Sequence, residues 1–305
     1  MSSLPSLSSL SGKTLLITGA NSGIGFAAAK AAVAAGAARV IVAGRDGARV
    51  AAAAAALGPT AVGEVVDVSS LASVDAFVSR ISAGTSHIDI LINNAGVFVP
   101  PHSQTADGFE VTLATNVIGC AALTYALLPQ LAAAPAARII TLSSAMINMS
   151  SARDIAARLA DVGGAREAAT THGIYAQSKV VISLWAQALQ RALRAEPVTA
   201  RIQVFSCDPG TVNTGIQHKS SAGLVNNFLS FVFPFIGKTP EAGAVPVLHL
   251  ASADVPAEQG GAVFTEGPRV RLFKTPAYMN EANRDAAFAA VNAALRGKGR
   301  AVPFQ

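Results

Sequence analysis

The sequence predicts an α/β fold, one doubly wound parallel sheet flanked by helices, on three observations. Short apolar segments alternate with helix-like, alanine-rich ones along most of the 305 residues. Several of the short segments, such as TLLIT at 14–18 and RVIVA at 39–43, are almost wholly apolar. Strands buried on both faces read this way, whereas half-exposed strands alternate. No Pro-, Gly- or Ser-rich linker divides the chain, so a single core is expected although the length would also suit two domains.

The elements follow in order. A strand at 14–18 runs into glycines and then a helix at 25–35. The next pair is a strand at 39–43 and a helix at 48–57, where the alanine run 51–56 has the highest intrinsic helix propensity. A strand at 61–66 and a helix at 71–81 come third. A strand at 88–92 precedes a long helix over 107–128, and a strand at 137–142 leads to a helix at 174–195. A strand near 201–206 and a helix over 240–251 complete the rhythm, in which Trp185, Val181, Leu184 and Leu189 take helical spacing and are expected in the core or a subunit interface. Two stretches interrupt it: a polar insert at 145–173, and a Gly-rich segment at 207–239 ending in FLSFVFPFIG. Irregular segments this long inside a compact domain are usually functional or disordered.

Composition excludes several classes. Hydrophobic residues make up 51% of the chain and charged residues only 13%, the opposite of a disordered protein. Cys120 and Cys207 stand alone without a CxxC pair, and the five histidines lack metal-ligand spacing, so no disulfide framework and no metal site is expected. The net charge of +5 is scattered, apart from Arg296, Lys298 and Arg300, and aromatics reach only 6%. That is not a nucleic-acid stripe. The opening MSSLPSLSSLSGK lacks the cationic start of a signal peptide, and the most apolar later stretch, 223–237, is too short to span a bilayer. A cytoplasmic protein with at most peripheral membrane contact is expected.

The first strand leads straight into Thr18, Gly19, Ala20, Asn21, Ser22, Gly23, Ile24 and Gly25. Glycines between strand one and helix one let the backbone turn sharply and approach a pyrophosphate, which then rests on the positive helix end. At the end of the second strand, where an NAD site usually carries an acid, stand Gly44 and Arg45. An arginine there can pair with a 2′-phosphate, so NADP(H) is the expected cofactor. Asp46 either touches the ribose or caps the following helix. After the third strand, Asp67, followed by Val68, either bonds an adenine amine or caps the helix that begins at Leu71.

Asn93, Asn94, Ala95 and Gly96 close the fourth strand, and Ser143 and Ser144 the fifth. Both lie at the carboxyl edge, where ligands bind in such sheets. Tyr175 and Lys179 stand at i and i+4 on a helix, so the ammonium can act on the phenol. A free phenol with a pKa of about 10 is a poor base at neutral pH, and a neighbouring cation favours its ionised form.

With these residues in place the chain resembles the classical short-chain dehydrogenase/reductase family. The matching motifs are TGxxxGIG at 18–25, Asp67, NNAG at 93–96, Asn116, Ser144, YxxxK at 175–179 and PGxxxT at 209–214. ANSGIG, GRD after strand two and TPEAGA at 239–244 resemble its retinol-dehydrogenase-like, NADP-preferring branch. The resemblance implies a Rossmann fold over 11–270, with a flexible lead at 1–10 and a tail at 271–305 whose helix near 280–295 is expected at the surface or in an oligomer contact. It implies Tyr175 as general acid in reduction and base in oxidation. Lys179 would hold the nicotinamide ribose and lower the tyrosine pKa. Ser144 would bond the substrate oxygen, and Asn116 would hold a water linking Lys179 to solvent. Asn94, Ala95 and Gly96 would line the cofactor, and Pro209, Gly210, Val212 and Thr214 would complete its nicotinamide end. Of the serine pair, Ser144 is chosen because the family's catalytic serine is usually the second.

The function expected is hydride transfer between NADP(H) and a ketone, aldehyde or alcohol on a hydrophobic small molecule, with a place in secondary metabolism among the settings it suits. A catalytically idle NADP-binding sensor or scaffold, and an extended-type nucleotide-sugar epimerase or dehydratase, are the alternatives. The apolar run at 229–236 has three readings: a cover over the site, a lipophilic substrate surface, or peripheral membrane contact. A homodimer or homotetramer is the family expectation.

Overall fold

The computed structural model describes residues 7–98, 100–149, 170–212, 237–265 and 270–304. Eight strands form one sheet in the order β3-β2-β1-β4-β5-β6-β7-β8. They are β1 Thr14–Thr18, β2 Arg39–Gly44, β3 Ala61–Val65, β4 Ile90–Asn93, β5 Arg138–Leu142, β6 Gln203–Asp208, β7 Val263–Thr265 and β8 Arg271–Leu272. All pairings are parallel except that of β8, which closes the edge antiparallel to β7. The helices are α1 Gly23–Ala34, α2 Gly47–Leu57, α3 Leu71–Gly84, α4 Val111–Leu113, α5 Gly119–Ala126, α6 Leu128–Ala133, α7 Thr171–Ala195, α8 Pro240–Ser252 and α9 Glu281–Arg296. Strand β1 pairs with β2 on one side and β4 on the other, so the winding reverses between β1 and β4 and opens a crevice at their carboxyl ends.

Side-chain alternation explains why the strands read as apolar runs. Leu15 and Ile17 of β1 join the cluster beneath α1, α2 and α8, while Leu16 between them joins the one beneath α3, α5 and α7. Both faces are covered. Small residues bring α1 close to α8: Ala28, Ala29 and Ala32 are buried, and a Cβ on Gly243 of α8 would come within 2.5 Å of Val212 and 3.1 Å of Ile24. At the opposite edge from the crevice, buried Asp89 accepts from Lys13 Nζ and Thr14 N, each at 2.9 Å, locking β1 to β4.

The long helix expected over 107–128 is divided. It begins only at Val111, because Asp107 accepts from Leu71 N and so serves the start of α3, while Glu110 caps α4 by accepting from Thr112 N and Leu113 N. A π-helical turn, Ala114–Ile118, then separates α4 from α5, and the chain breaks again at Leu127 before α6. Strands β7 and β8, of three and two residues, are too short to leave a periodic signal and were not anticipated. The tail helix α9 forms where expected and buries Ala287, Val291 and Leu295 in the same cluster as Trp185 of α7. A buried polar chain fastens it: Trp185 Nε1 donates to Tyr125 Oη at 2.9 Å, and Tyr125 Oη donates to Asn292 Oδ1 at 2.7 Å. Val181, Leu184 and Leu189 are core, not an interface between subunits. Among the described residues, no helix is long and apolar enough to cross a membrane, and no His, Cys, Asp and Glu group could hold a metal ion.

Candidate active site

Turning from β1 into α1, Gly19 and Gly23 take positive φ, +66° and +58°, which favours glycine. The space around the turn is equally restrictive. A Cβ on Gly19 would approach Ala95 Cα to 3.0 Å, and one on Gly25 would lie 2.8 Å from Gly19 O and 2.5 Å from Asn94 Nδ2. Ser22 stands at the N-cap of α1 in extended conformation, yet its hydroxyl does not cap the helix. The first-turn N–H groups are thus left for an outside acceptor. A glycine cradle leading to an uncapped helix end fits the pyrophosphate of a dinucleotide. Ile24 is buried beneath the turn, and Asn21 leans on Gly44, where an added Cβ would meet Asn21 Oδ1 at 2.9 Å.

Arg45 follows Gly44 at the rim, exposed and without a hydrogen bond or ion pair among the described residues. Asp46 accepts from Arg49 N at 3.1 Å and so caps α2. Asp67 does not cap α3, correcting one of its two expected roles. That place belongs to Ser70, whose Oγ accepts from Ser73 N, while Asp67 accepts from Ser69 N and Ser69 Oγ in a local turn. Val68 is buried with its carbonyl against Gly119, where a Cβ would be 1.6 Å from Val68 O.

Thr18 organises the turn after β4. Its hydroxyl accepts from Asn94 N at 3.1 Å and Ala95 N at 3.0 Å, and Asn94 Nδ2 donates to Thr18 O at 2.8 Å. Asn116, within the π turn, holds the next residues: it accepts from Val97 N at 2.9 Å and donates to Val97 O at 3.1 Å and Ser178 Oγ at 3.0 Å. Gly96 packs against the same side chain, since a Cβ there would lie 3.1 Å from Asn116 Oδ1. The insertion of a π turn, a common device at functional sites, is what brings the amide of Asn116 to this loop.

The two serines after β5 diverge. Ser143 is buried and its hydroxyl meets Ser183 Oγ at 2.7 Å, beneath α7. Ser144 instead hydrogen-bonds the hydroxyl of Tyr175. We expect Ser144→Ala to lower kcat by roughly 10²-fold, as loss of a single oxyanion donor does. Ser143→Ala should keep near-normal kcat and lose about 1 kcal/mol of stability in a urea titration.

Tyr175 and Lys179 do not pair in the expected way. Lys179 Nζ donates to Leu142 O at 2.9 Å and lies 5.5 Å from the centroid of the Tyr175 ring. Burial pushes the Tyr175 phenol up to about 12; the Ser144 bond opposes this and the charge of Asp208 adds to it. Burial also lowers Lys179 to about 8, against the opposing influence of Cys120, Cys207 and Asp208. In this arrangement desolvation dominates the phenol, and the ammonium, although over the tyrosine ring, donates to a backbone carbonyl. Phe98 lies edge-on to Tyr175 with centroids 4.8 Å apart and to His172 at 5.9 Å, lining the approach to the phenol. Sequence spacing gave no sign of Phe98; only its place two residues after NNAG could have drawn attention to it.

Pro209 and Gly210 turn away from the end of β6, with Gly210 at φ +74°, and Val212 is buried and bridges Lys238. Thr214 and the apolar run at 229–236 lie outside the described residues, as does most of the 145–173 insert. The glycine turn, the 93–98 loop, the serine pair and the Tyr175–Lys179 helix thus meet at one carboxyl edge.

Comparison with known proteins agrees. The family model for short chain dehydrogenases matches residues 13–156. Human retinol dehydrogenase 13 is 35% identical over 268 residues, covering 85% of this chain and 78% of the relative. Mouse polyprenol dehydrogenase is 34% identical over 253 residues, covering 79% and 72%. Among solved structures, 3-ketoacyl-(acyl-carrier-protein) reductase from Brucella melitensis, complexed with NADH, superimposes with a TM-score of 0.63 at 25% identity, covering 84% of this chain and 97% of that one.

Proposed function

The chain belongs to the short chain dehydrogenase family of oxidoreductases, and on that premise we propose that it is an NADPH-dependent reductase of a carbonyl group on a hydrophobic small molecule, able to run in reverse on the alcohol. The observation that carries this reading is the convergence of Ser144, Tyr175 and Lys179 beside the glycine turn. When bound, the reduced nicotinamide supplies a hydride. Ser144 orients the substrate oxygen by hydrogen bonding, and Tyr175 delivers the proton as negative charge develops there. A phenol that stays protonated at neutral pH is available as a donor, which suits reduction. Lys179 supplies positive charge beside the ring and would hold the nicotinamide ribose. Asn116 would hold a water toward Lys179: its Oδ1 accepts from Val97 N among the described residues, and an amide oxygen carries a second lone pair.

Names of relatives support an apolar substrate: retinol and polyprenol are both hydrophobic isoprenoid alcohols. Preference for NADP(H) rests on Arg45, exposed at the rim and without an ion pair among the described residues, and on Gly44 where an acid would repel a 2′-phosphate. Arg45→Ala should raise KM for NADPH by about tenfold, the worth of one charge-assisted phosphate contact, and leave KM for NADH within about twofold. Equal effects on both cofactors would remove Arg45 from that role. The reading as a whole is tested by following reduced-nicotinamide absorbance against ketones, aldehydes, quinones, retinoids and polyprenals. Nucleotide binding without turnover on any of them would favour an idle sensor.

A further inference from the structure

The tail beyond the sheet takes no part in the steps above, yet it reaches the segment that begins at Ser144. After β8 the chain turns at Pro276, where Met279 N donates to Pro276 O at 2.9 Å, and Tyr278 within that turn is only 9% exposed. Its Oη donates to Ile147 O, 131 positions earlier in the chain. Ile147 is fully buried in the 3-10 turn Ala145–Met149, which follows Ser144 directly and packs against α7. Carbonyls in the last turn of so short a helix have no partner within it, so an outside donor can fix them. The same turn governs Ser144. Ile147 N donates to Ser144 O at 3.1 Å, and Met146 N donates to Ser144 Oγ at 3.2 Å. A backbone N–H on one lone pair restricts how the hydroxyl points and leaves its single proton for another acceptor.

Tyr278 is itself held. Asn283 Nδ2 donates to Tyr278 O at 2.7 Å, and Asn280 caps α9 by accepting from Asn283 N at 3.0 Å. Helix α9 is fastened to α7 through the Trp185–Tyr125–Asn292 chain and, at the surface, by Arg191 on Asp285 at 2.6 Å. A path from α9 to Ser144 thus runs through one phenol hydroxyl and one short turn. We propose that Tyr278 is a positioning residue that pins the Ala145–Met149 turn and so holds Ser144 toward Tyr175, making the tail part of the active-site framework. The inference rests on the reading of Ser144 as the hydroxyl that bonds the substrate oxygen. A phenylalanine ring would fill the same space; the hydroxyl is what reaches the turn.

The chain has three tyrosines, Tyr125, Tyr175 and Tyr278, so 13C at the ζ carbon of tyrosine gives three NMR resonances in the full chain. Each is assigned by its loss in Tyr125→Phe, Tyr175→Phe or Tyr278→Phe. Tyr278→Phe should move the Tyr175 resonance in the same direction as Ser144→Ala does, and leave that of Tyr125 in place. Phe304→Ala removes a tail ring whose centroid lies 5.5 Å from that of Tyr125, and should do the reverse. On a carbonyl that the wild type reduces, Tyr278→Phe should lower kcat about tenfold, within the roughly 10²-fold that a misplacement of about 1 Å costs, and leave KM for NADPH within about twofold. Should Tyr278→Phe not fold, Asn283→Ala releases Tyr278 O and carries the same expectations. An unmoved Tyr175 resonance in the folded variant, or an unchanged kcat, overturns the inference. So does an equal shift at Tyr175 in Phe304→Ala, because the tail would then act only as general support. Failure of the underlying reading has a separate signature: Ser144→Ala that keeps the wild-type kcat, whatever Tyr278→Phe does to the resonance.

Discussion

Tyr175→Phe will abolish turnover, lowering kcat by roughly 10³-fold or more, the scale of a lost general acid. NADPH binding will remain measurable by fluorescence titration. The reason lies in how little else the hydroxyl does. The Phe98 contact at 4.8 Å involves the ring, which phenylalanine preserves, so the approach to the site keeps its shape. What disappears is the hydroxyl that Ser144 bonds and that the proposed mechanism uses as its proton donor. Ser144 can still bond the carbonyl, which leaves residual polarisation without a donor. Turnover at the wild-type rate on a confirmed substrate would sink the assignment.

Gly119→Ala will destabilise the chain by at least about 3 kcal/mol, in the range of severe overpacking, or prevent its folding. The Cβ would stand 1.6 Å from Val68 O, with Ala114 O at 3.1 Å. Neither obstacle is the end of a flexible side chain; both are backbone. Relief would require α5 to retreat from the loop after β3, dragging on the π turn that carries Asn116. Asp67 and Val68 share that loop, so surviving protein should also bind cofactor more weakly. Thermal melting and urea titration read the stability, and a melting temperature equal to the wild type would refute the contact.

Gly119 illustrates how a residue central to the site escapes a reading of the chain. A glycine within a helical stretch says only that something comes close, not that the neighbour is a carbonyl some fifty residues earlier. The divided helix before it was hidden for a similar reason: Asp107 and Glu110 sit in a stretch of good helical pattern, but one caps α3 and the other α4. Ser143 and Ser144 make the point at the scale of one bond. Alternation requires them to diverge, yet only the arrival of Ser183 and Tyr175 from α7 shows which faces the site. Local composition was more informative about the strands, whose burial on two faces writes apolar runs directly into the chain.

The doubly wound sheet, the dinucleotide turn and the Tyr175–Lys179 helix were all legible in residue order, because each depends on periodicity or spacing within a few turns of chain. The raised phenol, the lysine turned to Leu142, the shield of Phe98 and the carboxylate of Asp208 were not. They arise from desolvation and Coulomb forces, which act through space between residues that the sheet, not the sequence, makes neighbours.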